Sequence, residues 1–288
     1  MISLEAGDWR ATTAPERGGA ILSLDWRGAP IFRPTPQGST DMLLTACFPL
    51  VPYANRIADA RFAFEGRRIE LHTLDRFAPH ALHGDGWLNP WTLEATQAHC
   101  AEMTLIWPGD TPGWPWPWCA RQIITLSDAG LEIILSVTNT GEAAMPAGLG
   151  LHPDFHKGPN TRLTLSAAGV WLTDARDIPV GLASPDAVVD WTHGVALAQA
   201  PFVDHAYAGW NGEALIDGDC RRLVLSCTGA NCAQVYAPLG ADFFCVEPVT
   251  HRPDALNAQG DQDGGMTRLK PGESLSIAMR LSLSESPD

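Results

Sequence analysis

Positive charge is scarce in this sequence. Its 288 residues hold 19 Lys and Arg against 33 Asp and Glu, a formal net charge of −14. Nucleic acids and anionic membrane surfaces are gripped by basic faces, so both drop out as partners. Long apolar runs are missing too. No stretch reaches membrane-spanning length, and the opening MISLEAGDWRATTAPERGG has neither a basic n-region nor an apolar h-region. The expectation is a soluble, cytoplasmic protein. No CxxC occurs among the seven cysteines, Cys47, Cys100, Cys119, Cys220, Cys227, Cys232 and Cys245. The Cys227–Cys232 spacing lacks the second pair of a zinc site. These residues read as small buried hydrophobes in a reducing compartment. No low-complexity block, linker or fixed-period repeat divides the chain. Residues 1–288 are therefore read as one domain, long enough to bury a large core.

Helical periodicity is absent as well. No window of about twelve residues keeps an i, i+3, i+4 apolar stripe free of glycine or proline. Period-2 alternation takes its place. Leu275, Ile277, Met279, Leu281 and Leu283 alternate with Ser274, Ser276, Ala278, Arg280 and Ser282, so one face is apolar and the other wet. Leu131, Ile133, Leu135 and Val137 repeat the pattern after RQIITLS and the turn Asp128-Ala129-Gly130, which reads as a hairpin. AILSLDWRGAPIF turns at Arg27-Gly28-Ala29, and RFAFEGRRIEL at Glu65-Gly66. Many short strands joined by glycine and proline turns imply an all-β sandwich or barrel.

Four segments set polar residues against apolar strands. FPLVPYANRIADARF carries Asn55 and Arg56. PHALHGDGWLNPW carries His83. GLGLHPDFHK delivers His152 from an apolar run, and FFCVEPVTHRPDALN places Glu247 after four apolar residues and before Pro248. Desolvation at such a strand end raises a carboxylate toward the range of a general base. A glutamate pointing to water, a core histidine bonded to backbone and a loop histidine are the bland readings of Glu247, His152 and His83. His83, His152, Glu247 and an aspartate would make a mixed metal set. However, the short ligand spacings HExxH and HxH are absent, so no metal is expected. GxSxG elbows and phosphate-cradling glycine loops are absent too. In WPGDTPGWPWPWCARQ, Trp107, Trp114, Trp116 and Trp118 read mainly as a proline-stiffened loop packed on the core. Sugar stacking by one of them is the rival reading.

In order and spacing, the four segments resemble the aldose 1-epimerase (galactose mutarotase) family. The likeness covers nearly the whole chain, from GGAILSLDWRGAPIFRP, similar to that family's opening hairpin, to LKPGESLSIAMRLSL, similar to its closing strand. Between them stand ANRI, LHGDGW, GLHPDF and the E-P-x-x-x-x-P-D-A-L-N run. The resemblance implies a large antiparallel galactose mutarotase-like supersandwich with few short helices. It also implies an isomerase that needs no cofactor or metal and takes a small-molecule sugar. Glu247 resembles the family's general base and His152 its general acid. His83 and Arg56 resemble substrate-binding residues, with Asn55 assisting Arg56. Asp204, in FVDHAYAGW, matches the aspartate that grips sugar hydroxyls, with Asp217 and Asp219 as nearby alternatives. Two departures fall beside these positions. Asp154 stands where an aromatic is usual after His-Pro, and Asp85 interrupts the usual glycine pair after His83. Both bear on which sugar is accepted.

Anomer interconversion needs a base and an acid on two neighbouring oxygens, roles that a partly desolvated carboxylate and an imidazolium fill near neutral pH. Three rival readings remain. A hexose-6-phosphate 1-epimerase would need a cationic pocket, with Arg56, Arg76 and Arg121 as candidates. A non-catalytic carbohydrate-binding protein on the same fold would need no matched acid and base. A metal-dependent sugar enzyme is the third. Edge strands would allow a weak homodimer, but no feature requires more than a monomer.

Overall fold

The computed structural model describes residues 1–109, 113–218, 221–258 and 264–284; Asp219 and Cys220 lie outside them. The hairpins form where the turn chemistry allows. Arg27 and Gly28, then Glu65 and Gly66, have φ of 51°, 75°, 48° and 77°. These are two-residue turns with both central residues left-handed, whose twist matches the flanking strands. Asp128 and Ala129 alone close the third hairpin, because Gly130 already pairs with Ser127.

The hairpins assemble into two large antiparallel sheets. The smaller, nine-stranded sheet runs Thr92–Gln97, Cys100–Trp107, Trp118–Ser127, Gly130–Asn139, Ser274–Ser284, Arg222–Thr228, Glu213–Asp217, Arg162–Leu165 and Val195–Ala196. The larger, eleven-stranded sheet has Cys47–Leu50, Gly150–His156, Phe243–Val249, Cys232–Ala237 and Val203–Ala208 as successive neighbours at its middle. Ile2–Ala6, Trp9–Ala14 and Ala20–Trp26 extend one side of it, with Ala29–Pro30 paired to the last of these, and Gly169–Thr173 and Pro179–Ala183 extend the other. Among the described residues the only helices are 3₁₀ turns of three residues, and none is long and apolar enough to cross a membrane. The all-β reading and the supersandwich class stand.

Strand alternation decides what each face carries. Ile277, Met279 and Leu281 are buried as the period-2 pattern requires; each such side chain contributes roughly 1.5–3 kcal/mol by leaving water. They join one contiguous core with Leu151, Phe155, Phe244, Val246, Val235 and Tyr207 of the larger sheet. The opposite face of the larger sheet carries a second, smaller cluster, with Phe48, Leu50, Ala206, Val249 and Trp87. His152 and Glu247 alternate with the first set and so stand on this second face.

Candidate functional site

Register brings the two principal residues together. Gly150 pairs with Val249 and Asp154 with Cys245 on antiparallel strands. The same register sets His152 opposite Glu247. Pro153 and Pro248 lack N–H groups, and the ladder is open between those two pairs. Proline usually argues against a central strand; here two of them release a pair of side chains from a continuous ladder. Gln234 pairs with Glu247 on the next strand, and Asp204 pairs with Tyr236 on the strand beyond. Phe48 pairs with His152 on the other side. Five neighbouring strands thus present Phe48, His152, Glu247, Gln234 and Asp204 on one face.

His152 Nε2 lies 3.4 Å from Glu247 Oε1. Glu247 is 3% exposed, and its Oε2 makes no hydrogen bond to the described residues. The imidazole lies flat on Phe48, with centroids 4.4 Å apart and planes 17° from parallel. Such a stack favours a cationic ring. Burial pushes Glu247 up to about 7, with Asp204 and Asp154 adding to the rise and His152 opposing it. Burial would push His152 down, but the Glu247 charge, then the Asp154 hydrogen bond and charge, outweigh it and hold the ring at about 9. Both partners therefore move upward. Attraction wins at the histidine, and loss of water wins at the carboxylate.

The segment crossing this face adds His83, Asn55 and Arg56. Arg56–Ile57 pairs with Ala81–Leu82. The Asn55 N–H donates to His83 Nδ1 and the His83 N–H to the Asn55 carbonyl, both at 3.0 Å. Accepting at Nδ1 leaves the neutral ring's proton on Nε2. Burial, then the neighbouring His152 and Arg56 charges, hold His83 well below the usual histidine range, so it stays neutral. Its ring stands edge-on to His152, with centroids 5.6 Å apart. Asn55 Oδ1 accepts the Arg56 N–H at 2.8 Å; its contribution is to hold the arginine's backbone. Gly84 must be glycine, because its φ is +70° and a Cβ would lie 2.4 Å from the Val51 carbonyl.

Arg56 reaches Asp177 at 2.9 Å and Asp204 at 4.0 Å. Asp204 Oδ1 accepts a 2.6 Å hydrogen bond from Gln234, and burial raises this carboxyl above its usual value. Asp217 is bound to Arg222 in the other sheet, at 2.6 and 3.1 Å, and does not join the site. The E-P-x-x-x-x-P-D-A-L-N run fastens the Asn55–Arg56 segment down. His251 Nε2 accepts the Ala54 N–H at 3.0 Å, and Asp254 Oδ1 accepts the Ala58 N–H at 2.9 Å. Gly148 makes room for His251, since a Cβ there would lie 2.1 Å from the imidazole.

Several expectations need correction. Arg76 is bound twice to Asp41, and Arg121 pairs with Glu102 on the nine-stranded sheet; of the three arginines put forward for a phosphate pocket, only Arg56 reaches the site. The Asp85 carboxylate is turned to the Trp114 backbone. Its Oδ2 accepts the Trp114 N–H at 3.2 Å, and burial raises its carboxyl to about 6. Trp107, Trp114, Trp116 and Trp118 are all buried, with Trp114 against Tyr53 and Phe62. The packing reading of that segment holds, and none of its indoles is open for sugar stacking. The six described cysteines are free. His152, Cys245 and Glu247 bring one ligand atom each within 4.8 Å of one another, and His83 is not part of that group. Phe48 and Gln234 escaped sequence reasoning. The signal for Gln234 was its lone polar side chain within CAQVYA.

A family model described as aldose 1-epimerase matches residues 1–282. YphB, an uncharacterized protein of Escherichia coli K12, is 31% identical over 280 residues, covering 92% of this chain and 93% of its own. The crystal structure of an aldose 1-epimerase-like protein from Escherichia coli K12 superposes with a TM-score of 0.89 at 29% identity, covering 99% of this chain and 98% of the other. The fold is also that of a galactose 1-epimerase from Lactobacillus acidophilus, with a TM-score of 0.81 at 15% identity over 99% of this chain and 94% of that one. The match over residues 1–282 and the likeness to YphB settle the family: the chain belongs to the aldose 1-epimerase family.

Proposed function

We propose that this protein interconverts the α and β anomers of an unphosphorylated aldohexose by cofactor-independent acid/base ring opening and closure. One observation carries the reading. A carboxylate and an imidazole face each other at 3.4 Å across neighbouring strands, both largely shielded from water, with the carboxylate near 7 and the imidazole near 9. Between those values Glu247 is ready to take a proton and His152 to give one.

Glu247 takes the proton of the anomeric hydroxyl while His152 Nε2 gives its proton to the ring oxygen. The bond from C1 to the ring oxygen breaks, leaving the open-chain aldehyde. Rotation about C1–C2 turns the other carbonyl face to the former ring oxygen. That oxygen then attacks C1, returning its proton to His152, while Glu247 reprotonates the carbonyl oxygen. Protons and charge balance over the cycle. The two oxygens sit on one carbon, and the short separation of Oε1 and Nε2 suits a pair of adjacent targets. His83 Nε2–H, Arg56 and Asp204 supply donors and an acceptor for the remaining hydroxyls. With Arg76 and Arg121 engaged elsewhere, the reading favours a neutral sugar over a hexose 6-phosphate.

Polarimetry of freshly dissolved α-D-glucose and α-D-galactose tests the reading, using protein passed over a chelating resin. Faster approach to anomeric equilibrium is expected, and it should be lost in Glu247→Gln. Equal acceleration by parent and variant would overturn the assignment of the base.

A further inference from the structure

His152 is backed by a carboxylate that no sugar can reach. Asp154 follows it by two residues on the same strand and shares its face. The carboxylate is 1% exposed. Its Oδ1 lies 3.2 Å from His152 Nδ1 and accepts the Cys245 Sγ–H at 3.1 Å. Its Oδ2 pairs with Arg33 Nη2. Backbone bonds fix the same group: the Asp154 N–H donates to the Ala46 carbonyl at 2.9 Å, and the Arg33 N–H donates to the Asp154 carbonyl at 2.7 Å. Arg33 is itself seated over the Phe243 ring at 4.5 Å. A buried carboxylate with this much framing is costly unless fully paired.

We infer that Asp154 is a positioning residue for His152, keeping the imidazole's second proton on Nδ1 so that Nε2 is the nitrogen that trades protons with the sugar's ring oxygen. The inference rests on the mutarotase reading for its catalytic consequence, but its structural content stands apart from it. During ring opening His152 passes from imidazolium to neutral imidazole. Left alone, the neutral ring divides between two tautomers, and the one bearing hydrogen on Nε2 cannot take the proton back. With its Oδ1 3.2 Å from Nδ1, Asp154 is the carboxylate placed to accept from Nδ1–H, which would remove that branch. Its charge also favours the imidazolium that starts the cycle. The groups facing His152 from other elements are Glu247 and Cys245 on one neighbouring strand and His83 from the crossing segment; Cys47, next to Phe48 on the other strand, belongs to the core face. Arg33 stands behind Asp154, and Arg56, Asp204 and Tyr236 lie beyond Glu247. Among the side chains placed here, Asp154 is the acceptor next to Nδ1.

Two measurements test this. Nitrogen NMR of ¹⁵N-histidine-labelled parent protein, titrated past the loss of the imidazolium, reads the tautomer directly. The neutral His152 ring is expected to keep its proton on Nδ1; a proton on Nε2 overturns the inference, whether or not any sugar is turned over. In Asp154→Asn, kcat is expected to fall by up to about 10⁴-fold, the loss that follows when an amide replaces the carboxylate behind a catalytic histidine, with KM within about twofold. The alkaline limb of its pH profile should move to lower pH. A fall in kcat with an unmoved alkaline limb and an unmoved His152 titration would mark a merely structural role and also overturn it. Should the parent turn over no sugar, the mutarotase reading fails while the tautomer measurement still decides the role of Asp154. If Asp154→Asn does not fold, the parent's tautomer decides alone.

Discussion

The two large sheets of this molecule obey different rules. The nine-stranded sheet is regular apart from a register shift at Leu93–Ala95 on its edge strand. Its strands contain no proline, Trp118–Ser127 pairs with Gly130–Asn139 without a register shift, and its outer face carries ion pairs such as Arg280–Glu132. The eleven-stranded sheet breaks those rules near its centre. Pro49, Pro153 and Pro248 lie within neighbouring strands. Buried ionisable residues such as Asp154 and Glu247 lie on this sheet, and His83 and His251 on segments that reach its site face. The contrast teaches a division of labour. One sheet supplies an undisturbed apolar wall, and that wall lets the other carry desolvated charge and interrupted ladders, which lower stability locally but create chemistry.

Substitutions sharpen the comparison. The largest effect is expected at Glu247→Gln, which removes the proton acceptor while preserving shape. Its kcat should drop by about 10²–10⁴-fold, read by polarimetry, with thermal stability unchanged or raised because a buried charge is gone. A matching lesion in the regular sheet should do the reverse. Ile277→Ala empties a fully buried position and should cost about 2–5 kcal/mol in denaturant unfolding, with kcat preserved in the folded fraction. A kcat loss as deep as that of Glu247→Gln would break the division between the sheets.

Smaller effects probe the rim of the site. Asp204→Asn keeps the Gln234 contact but loses the charge facing Arg56. A hydrogen bond to a charged group contributes about 1.5–3 kcal/mol, so KM for the preferred sugar should rise by at least about tenfold while kcat changes little. A kcat defect with unchanged KM would move Asp204 from binding to chemistry. The pH profile carries the least dramatic outcome. Glu247, raised to about 7, must be ionised, so activity should fall as pH drops through that value. His152, raised to about 9, must be protonated, so activity should fall again as pH climbs past it. A plateau running down to pH 5 would show that the base is a carboxylate of ordinary acidity.

Much of this was legible in the chain, for identifiable reasons. Period-2 runs such as Leu275–Leu283 are unambiguous because side-chain direction alternates strictly along a strand. Arg27-Gly28 and Glu65-Gly66 announce their hairpins because a glycine relieves the left-handed turn. His152 and Glu247 stood out because each ends or interrupts an apolar run. Other features were hidden. Asp85 sits beside the HG motif in sequence, yet its carboxylate turns to Trp114. Asp154 read as a change bearing on the sugar, although it is sealed beneath the histidine. Arg33, its partner, lies 121 residues away in the chain.

The sequence by itself determined the strands, the all-β class and the residue types able to do acid/base work, because those follow from local alternation, turn chemistry and side-chain pKa; the choice of sandwich over barrel came only with the family resemblance. Only the tertiary structure decided which of those residues meet. The cross-strand register set His152 against Glu247, the packing of the Asn55–Arg56 segment gave His83 its tautomer, and the burial of Asp154 against Arg33 and Cys245 placed a charge where the histidine can use it. Such choices depend on strand partners far apart in the chain and on how much water each carboxylate loses, and neither is written in any local stretch of residues.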